Sequence, residues 1–229
     1  MRKYLLFIYV AIIFVSCTTN LIKITPEYQS KLIDAEKLFI RFIPEQPVIE
    51  VNDDLISSLG TGSKNEIYLS YFEKEFPKFV KQHSAFQQVT ISSKEYQFDE
   101  REFFINSKDK ILLKIPLHSK NEMLTDDDTG YTIFFEDIKI HHKRDDGDLS
   151  IPTDSGIIFI GGDDPLIIQV GKFLIWDNNL NKVVSYGKID IRTKVNRNQV
   201  EETWADAFNA LSKHLFSNSL FKNENSKFL

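Results

Sequence analysis

The sequence predicts an α+β domain: a mixed, mostly antiparallel sheet packed by two main helices, near residues 65–82 and 199–216. Three observations point there. Apolar residues recur at three–four spacing in Leu69, Phe72, Phe76 and Phe79, which places them on one stripe of a helix. Val200, Trp204, Phe208, Leu211 and Leu215 repeat the pattern near the end of the chain. Between these stretches lies a succession of short β-branched and aromatic runs; in the clearest, residues 182–191, Lys188 and Asp190 alternate with Ile189 and Ile191.

Taken in order, Lys37 to Ile43 reads as a strand by its β-branched and aromatic content, stopped by Pro44 and Pro47. Val48 to Val51 either extends it or forms a separate short edge strand. The turn-rich Gly60-Thr61-Gly62-Ser63 leads into the first helix. Pro77 lacks the N–H that would bond the Glu73 carbonyl, at a cost of about 3 kcal/mol, so the helix kinks there or restarts. Residues 87–91 form the next strand. Strand-like segments follow at 102–106, 110–115, 131–142, 157–160, 166–176 and 182–195, the last two joined by the hairpin loop Asp177-Asn178-Asn179-Leu180-Asn181. Two acidic, glycine-containing stretches, 121–130 and 143–156, read as mobile surface loops. Asn198-Gln199-Val200-Glu201 fits a capping box with Asn198 as the cap. Residues 223–229 are polar and expected to fray.

Composition bounds the function. A chain of 229 residues, 42% hydrophobic and 27% charged, is globular and long enough for one generous core. A net charge of −5 argues against nucleic acid as a partner. One cysteine makes neither an internal disulfide nor a thiolate zinc site.

That cysteine sits in the most specific pattern of the chain. Arg2 and Lys3 precede an unbroken apolar run from Tyr4 to Val15, the layout of a secretory signal too short to span a bilayer stably. The run ends in Phe14-Val15-Ser16-Cys17, which resembles the lipobox of bacterial lipoproteins, with Phe14 in place of the usual leucine. The resemblance implies cleavage between Ser16 and Cys17, diacylation of the Cys17 sulfur (palmitate-type chains) and acylation of the new amine. More than one acyl chain anchors where a single chain does not, at about 0.8 kcal/mol per buried CH₂. Thr18 after the cysteine implies outer-membrane sorting. Residues 1–16 are then the signal peptide, 17–36 the lipidated residue with its tether, and 37–229 a single domain. Cleavage removes Arg2 and Lys3 but no acid, so the net charge goes from −5 to −7 and the acyl chains, not the surface, hold the protein to the membrane.

The order of elements carries a second, looser resemblance. Phe39 to Pro44, then Tyr68 to Val80 followed by Ser84 to Ile91, then Phe173 to Ser185 ahead of a helix at 201–216, is similar to the periplasmic lipoprotein domain of curli-secretion lipoproteins, penicillin-binding-protein activators and the amino-terminal domain of TolB. That family consists of adaptors and pore subunits, so the resemblance implies no catalytic residue. Residues 94–156 hold more strand-like material than the pattern requires.

Other constellations give no chemistry. His141 and His142, neighbours on a strand, point to opposite faces and do not share a metal. Asp126-Asp127-Asp128 and Asp145-Asp146-Gly147-Asp148 lack the spacing of an EF-hand, and carboxylates converging into a weak calcium site is the lesser reading. Gly161-Gly162-Asp163-Asp164 reads as a turn. No Gly-x-Ser-x-Gly elbow exists. No catalytic residue, metal or cofactor is therefore expected. Tyr68 and Tyr71, which flank the first stripe, are the candidate interaction residues.

The expectation is a non-catalytic envelope lipoprotein, outer-membrane-anchored and periplasmic or surface-facing. It acts as an adaptor or assembly factor for another envelope protein. Two alternatives stand beside it: a surface lipoprotein that binds a host or environmental ligand through the acidic loops, and a hydrolase with an unrecognised site.

Overall fold

The computed structural model describes residues 22–29, 33, 37–92, 94–117, 129–145, 149–153, 156–160, 163–196, 198–216 and 220–221. Its sheet is organised by strand β7 (Tyr131–Asp145), whose apolar residues change phase halfway. Ile133 and Phe135 are odd-numbered, Ile138 and Ile140 even-numbered, yet all four enter one core. In a regular strand the second pair would turn to the opposite face. One extra residue prevents this. Pairing with β10 (Asp163–Asp177) steps from Lys139 opposite Val170 to Glu136 opposite Lys172, leaving Asp137 and Ile138 against Gly171. Asp137 takes φ 53° at this bulge. A Cβ on residue 171 would lie 2.5 Å from Ile138 Cδ1 and 3.1 Å from the Glu136 carbonyl oxygen, so glycine gives the bulge its room.

Around β7 the seven-stranded sheet runs β1 (Ile22–Ile24), β11 (Lys182–Lys194), β10, β7, β2 (Lys37–Ile43) and β4 (Gln88–Ile91). β3 (Val48–Glu50) follows β2 along the same edge of β7. β2 and β3 are parallel to β7, and β4 is parallel to β2. The β7–β10–β11–β1 side is antiparallel. The expected α+β class with a mixed sheet and two main helices is what the chain forms.

Both helices cover one face. Helix α1 (Lys64–His83) opens on a capping box: Ser63 Oγ accepts the Glu66 N–H while the Glu66 carboxylate accepts the Ser63 N–H. The Ser63 N–H and Oγ–H, both donating to the Glu66 carboxylate, hold its carboxyl below the ordinary pKa. The helix runs through Pro77 without a break. Its buried residues are Ile67, Tyr68, Phe72, Phe76 and Val80, so the buried stripe is rotated slightly from the expected one and Leu69 and Phe79 flank it. Helix α2 (Val200–Phe216) buries Trp204, Phe208, Leu211 and Leu215 as its periodicity predicts. The helices meet through rings: Phe72 lies 4.4 Å from Phe76 and 5.2 Å from both Phe42 and Phe208, centroid to centroid. Each such pair adds roughly 0.5–1.5 kcal/mol beyond area burial.

The other face is covered too. Phe134, Leu174 and Trp176 point away from the helices and pack beneath Ile111, Leu113 and Ile115 of the antiparallel hairpin β5 (Gln97–Phe104) and β6 (Lys110–Leu117). A polar tie joins this hairpin to the bulge. The buried Glu136 carboxylate accepts the Lys114 N–H at 3.1 Å and Lys172 Nζ at 3.2 Å. Lys172 also reaches Asp137 at 2.9 Å and the Leu112 carbonyl at 3.2 Å. Burial alone would pull the lysine pKa down, but its bonds to Asp137 and Glu136 outweigh that and raise it.

Several expectations change. The stretch 17–36 is not wholly tether: β1 pairs with β11, and the buried Tyr28 donates to Asp177 Oδ2 at 2.9 Å. Burial, then that carboxylate, pushes the Tyr28 phenol well above its ordinary value. The stretch 143–156 is not one loop: it holds the end of β7 and strand β8 (Leu149–Thr153), which pairs with β9 (Gly156–Ile160). At the start of α2, Asn198 gives only its backbone N–H, to Asn196 Oδ1. Asn196 and Thr203 form the other bonds there, with the Asn196 N–H on Thr203 Oγ1 at 2.9 Å. Residues 1–21, 121–128 and 222–229, and with them the signal peptide, Ser16, Cys17 and the Asp126 cluster, lie outside the described residues.

Candidate functional site

A single charged residue interrupts an otherwise apolar strand: Leu38-Phe39-Ile40-Arg41-Phe42-Ile43. β2 outlasts its edge neighbour. Lys37 to Ile40 pair with Gln88 to Ile91, and the Ser92 N–H closes the ladder on the Ile40 carbonyl at 2.8 Å. On that side, opposite β7, no strand among the described residues continues beside Arg41 to Ile43. The strand repeat turns the N–H and C=O of Phe42 toward the same side as the Ile40 carbonyl, into that notch.

The notch is a cleft of about 290 Å³. It is lined by Arg41, Phe42, Glu45, Ile91 and Ser92, with Leu69 and Glu73 from α1. The Arg41 side chain is only 9% exposed. Its Nη1 donates to the Ser92 carbonyl at 3.3 Å, and the Tyr96 ring centroid is 5.8 Å from the guanidinium carbon. Glu45 Oε1 stands 3.8 Å from Nη2, too far for a hydrogen bond, and the Glu45 side chain is 81% exposed. A guanidinium has five N–H donors, and among the described residues one of them is used in a hydrogen bond.

A second surface lies on the outer hairpin. Phe104, Leu112 and Leu117 are exposed there, at 58%, 46% and 46%. Lys110 Nζ lies 5.2 Å from the Phe104 ring, and the Tyr186 hydroxyl donates to the Phe104 carbonyl at 2.9 Å.

The structure separates the two tyrosines named from sequence. Tyr68 is 1% exposed, wedged between Phe72, Trp204 and Phe208, and is core: it is not available to a partner. Burial alone drives its phenol far above the ordinary pKa. Tyr71 remains half-exposed, packed on Phe208, with its hydroxyl 3.4 Å from the Glu201 carbonyl that accepts from it. His141 and His142 pair with successive residues of β10 and alternate in direction as expected. Among the described residues no group of three His, Cys, Asp or Glu side chains is placed to hold a metal ion. Sequence reasoning passed over Arg41. The available signal was a cation at the centre of an apolar strand that ends at a proline.

No family model and no curated protein sequence matches the chain. Among solved structures, it is similar to a Helicobacter pylori protein described as a neuraminyllactose-binding hemagglutinin homolog. That match has 12% identity and a TM-score of 0.35, covering 87% of this chain and 89% of that one. It is also similar to a Xanthomonas campestris protein of the DUF330 family, with 10% identity and a TM-score of 0.36, covering 90% of this chain and 95% of that one. Likeness at that level bears on neither role nor partner.

Proposed function

We propose that this chain is a lipid-anchored, non-catalytic protein of a bacterial envelope that works as an adaptor or assembly factor, by contact with another envelope protein. One observation carries the reading: the only cysteine of the chain, Cys17, stands directly after Phe14-Val15-Ser16 at the end of a short apolar leader with Arg2 and Lys3 before it. A thiol is the acyl acceptor that lipidation needs, and a small residue before it suits the peptidase. Two or three acyl chains fix such a protein to a membrane surface, where confinement raises the effective concentration of any partner in the same envelope. The exposed Phe104, Leu112 and Leu117 on the outer hairpin support contact as the mode of action. Pore assembly and control of cell-wall synthesis are the processes that the family resemblance suggests.

The test has two stages in the same cells. Labelling with an alkyne palmitate analogue marks the wild-type chain and leaves Cys17→Ala unmarked. In-cell crosslinking followed by mass spectrometry then recovers one reproducible envelope protein with the wild type and loses it with Cys17→Ala. Equal labelling of both chains overturns the anchor. A labelled chain with no reproducible partner overturns the adaptor role and favours a ligand at the cell surface.

A further inference from the structure

We infer that the cleft beside Arg41 is a binding site for a short apolar peptide with a free α-carboxylate, which takes the place of the missing end of β4. This inference is independent of the anchor at Cys17. Four features of the cleft converge on that ligand chemistry.

The first is the guanidinium. Arg41 is nine-tenths buried and, among the described residues, makes one hydrogen bond, to the Ser92 carbonyl at 3.3 Å. A buried cation is costly without a hydrogen-bonded counter-charge. Glu45 does not supply it from 3.8 Å and from a solvent-exposed position. A planar fork with unfilled donors matches a carboxylate, which it can hold through two parallel bonds.

The second is the strand edge. Ser92 donates to the Ile40 carbonyl at 2.8 Å, and the ladder then stops while β2 continues to Ile43. The next main-chain pair on that side belongs to Phe42. A peptide lying in the notch pairs its own amide with this pair, as added strands do at open sheet edges. An anion without a peptide group leaves those two backbone groups to water.

The third is the wall. Phe42, Leu69 and Ile91 give the cleft an apolar side, which fits an aliphatic side chain next to the carboxylate. A volume of about 290 Å³ sits at the small end of ligand pockets, which run from roughly 300 to 1,000 Å³. It holds a peptide end and not a whole folded partner.

The fourth is the rim. Glu45 and Glu73 line the same cleft. Two carboxylates there work against a simple anion and favour a ligand that also carries an ammonium. A di- or tripeptide brings its own amino terminus; a longer chain does not.

The experiment uses the purified full-length chain and isothermal titration calorimetry, with the dipeptide alanyl-leucine as probe. Its C-terminal amide removes the carboxylate, and its N-acetyl form removes the ammonium. Alanyl-leucine binds saturably at millimolar concentration or tighter. The amide loses at least about tenfold, as does the acid on Arg41→Gln. The ligand series keeps the wild-type fold throughout, so instability of Arg41→Gln does not blur the result. The N-acetyl form tests the rim: a loss, matched by Glu45→Gln/Glu73→Gln on the free dipeptide, supports a free short peptide, and binding as tight as the free dipeptide overturns it in favour of the carboxyl end of a longer chain. Binding of the amide equal to that of the acid, or no saturable binding of the acid, overturns the assignment.

Discussion

Replacing Lys172 by methionine removes the cation that serves Glu136 and keeps the volume of the side chain. The lysine gives Glu136 a charged hydrogen bond at 3.2 Å, Asp137 another at 2.9 Å and the Leu112 carbonyl a third at 3.2 Å. Glu136 is 5% exposed, so after the change its carboxylate keeps, among the described residues, only the Lys114 N–H. A hydrogen bond to a charged group contributes about 1.5–3 kcal/mol. The Asp137 arm counts for less, since that side chain is 55% exposed and solvent screens the pair. The net expected loss is about 2 kcal/mol, against 3–5 kcal/mol for breaking a fully buried pair. With a urea slope of about 2 kcal/mol per molar, the unfolding midpoint falls by about 1 M. The assay can also locate the loss, because the two tryptophans sit in different layers. Trp176 lies under the outer hairpin, and Trp204, on α2, lies in the core on the helix side. In a Trp204→Phe background fluorescence reports the hairpin side, and in a Trp176→Phe background the helix side. The Glu136→Gln/Lys172→Met double variant regains part of the stability, since the uncompensated charge is gone. A shift below 0.2 M in the single variant, or no recovery in the double, refutes the polar tie as a source of stability.

Three further outcomes follow from local geometry. Gly130→Ala places a Cβ 2.7 Å from the Lys37 carbonyl oxygen at a residue with φ 120°, so strain and overlap together lower stability by at least about 2 kcal/mol in urea melts. Tyr28→Phe removes the donor to Asp177, which keeps the Asn179 and Leu180 N–H groups at 2.9 and 3.0 Å; the cost is about 1.5 kcal/mol, and amide exchange in β1 speeds up while exchange in β7 does not. His214 donates to the Lys188 carbonyl, and burial holds its pKa below the ordinary value, with that carbonyl and Asp190 opposing. The fold therefore favours the neutral ring. Its contribution is fully present above the unfolded pKa of about 6.5 and is lost as pH falls below it. The urea midpoint drops between pH 7 and 5.5, and His214→Gln flattens that slope; an unchanged slope refutes the assignment.

Elements whose signal is periodic were legible in the sequence, and elements defined by what they touch were not. Helix α2 shows its buried face in Trp204, Phe208, Leu211 and Leu215 without any tertiary information. Helix α1 shows its existence clearly but its orientation less so. Three- and four-residue steps both connect its rings, and only packing against Phe42 and Phe208 decides that Tyr68 and Val80 turn inward while Leu69 and Phe79 flank. The capping box at Ser63 and Glu66 carries a Ser-x-x-Glu signal, yet it was not among the expected caps. β1 is three residues long, too short for any period, and its place is set by pairing with β11 more than 150 positions away, beside the Tyr28 hydroxyl on Asp177. The third layer was hidden for a similar reason. β5 reads Gln-Phe-Asp-Glu-Arg-Glu-Phe-Phe, with most side chains exposed, so its sequence resembles a surface strand, while its partner β6 supplies the residues that cover Phe134 and Trp176. The cleft at Arg41 depends on where β4 stops relative to β2, a register relation between residues about fifty positions apart along the chain.

The pairing of β1 with β11 bears on how close this domain stands to a membrane. If Cys17 carries the acyl chains, the covalent distance from anchor to fold is the span from residue 17 to Ile22, where β1 begins. Five residues reach at most about 18 Å when fully extended, at roughly 3.3–3.6 Å each. A leash of that length holds the β1–β11 edge within a few water layers of the headgroups. It lets the domain tilt and spin but not wander. A partner is then met in the plane of the membrane, at a nearly fixed height, and one whose contact surface lies far above the bilayer is out of reach.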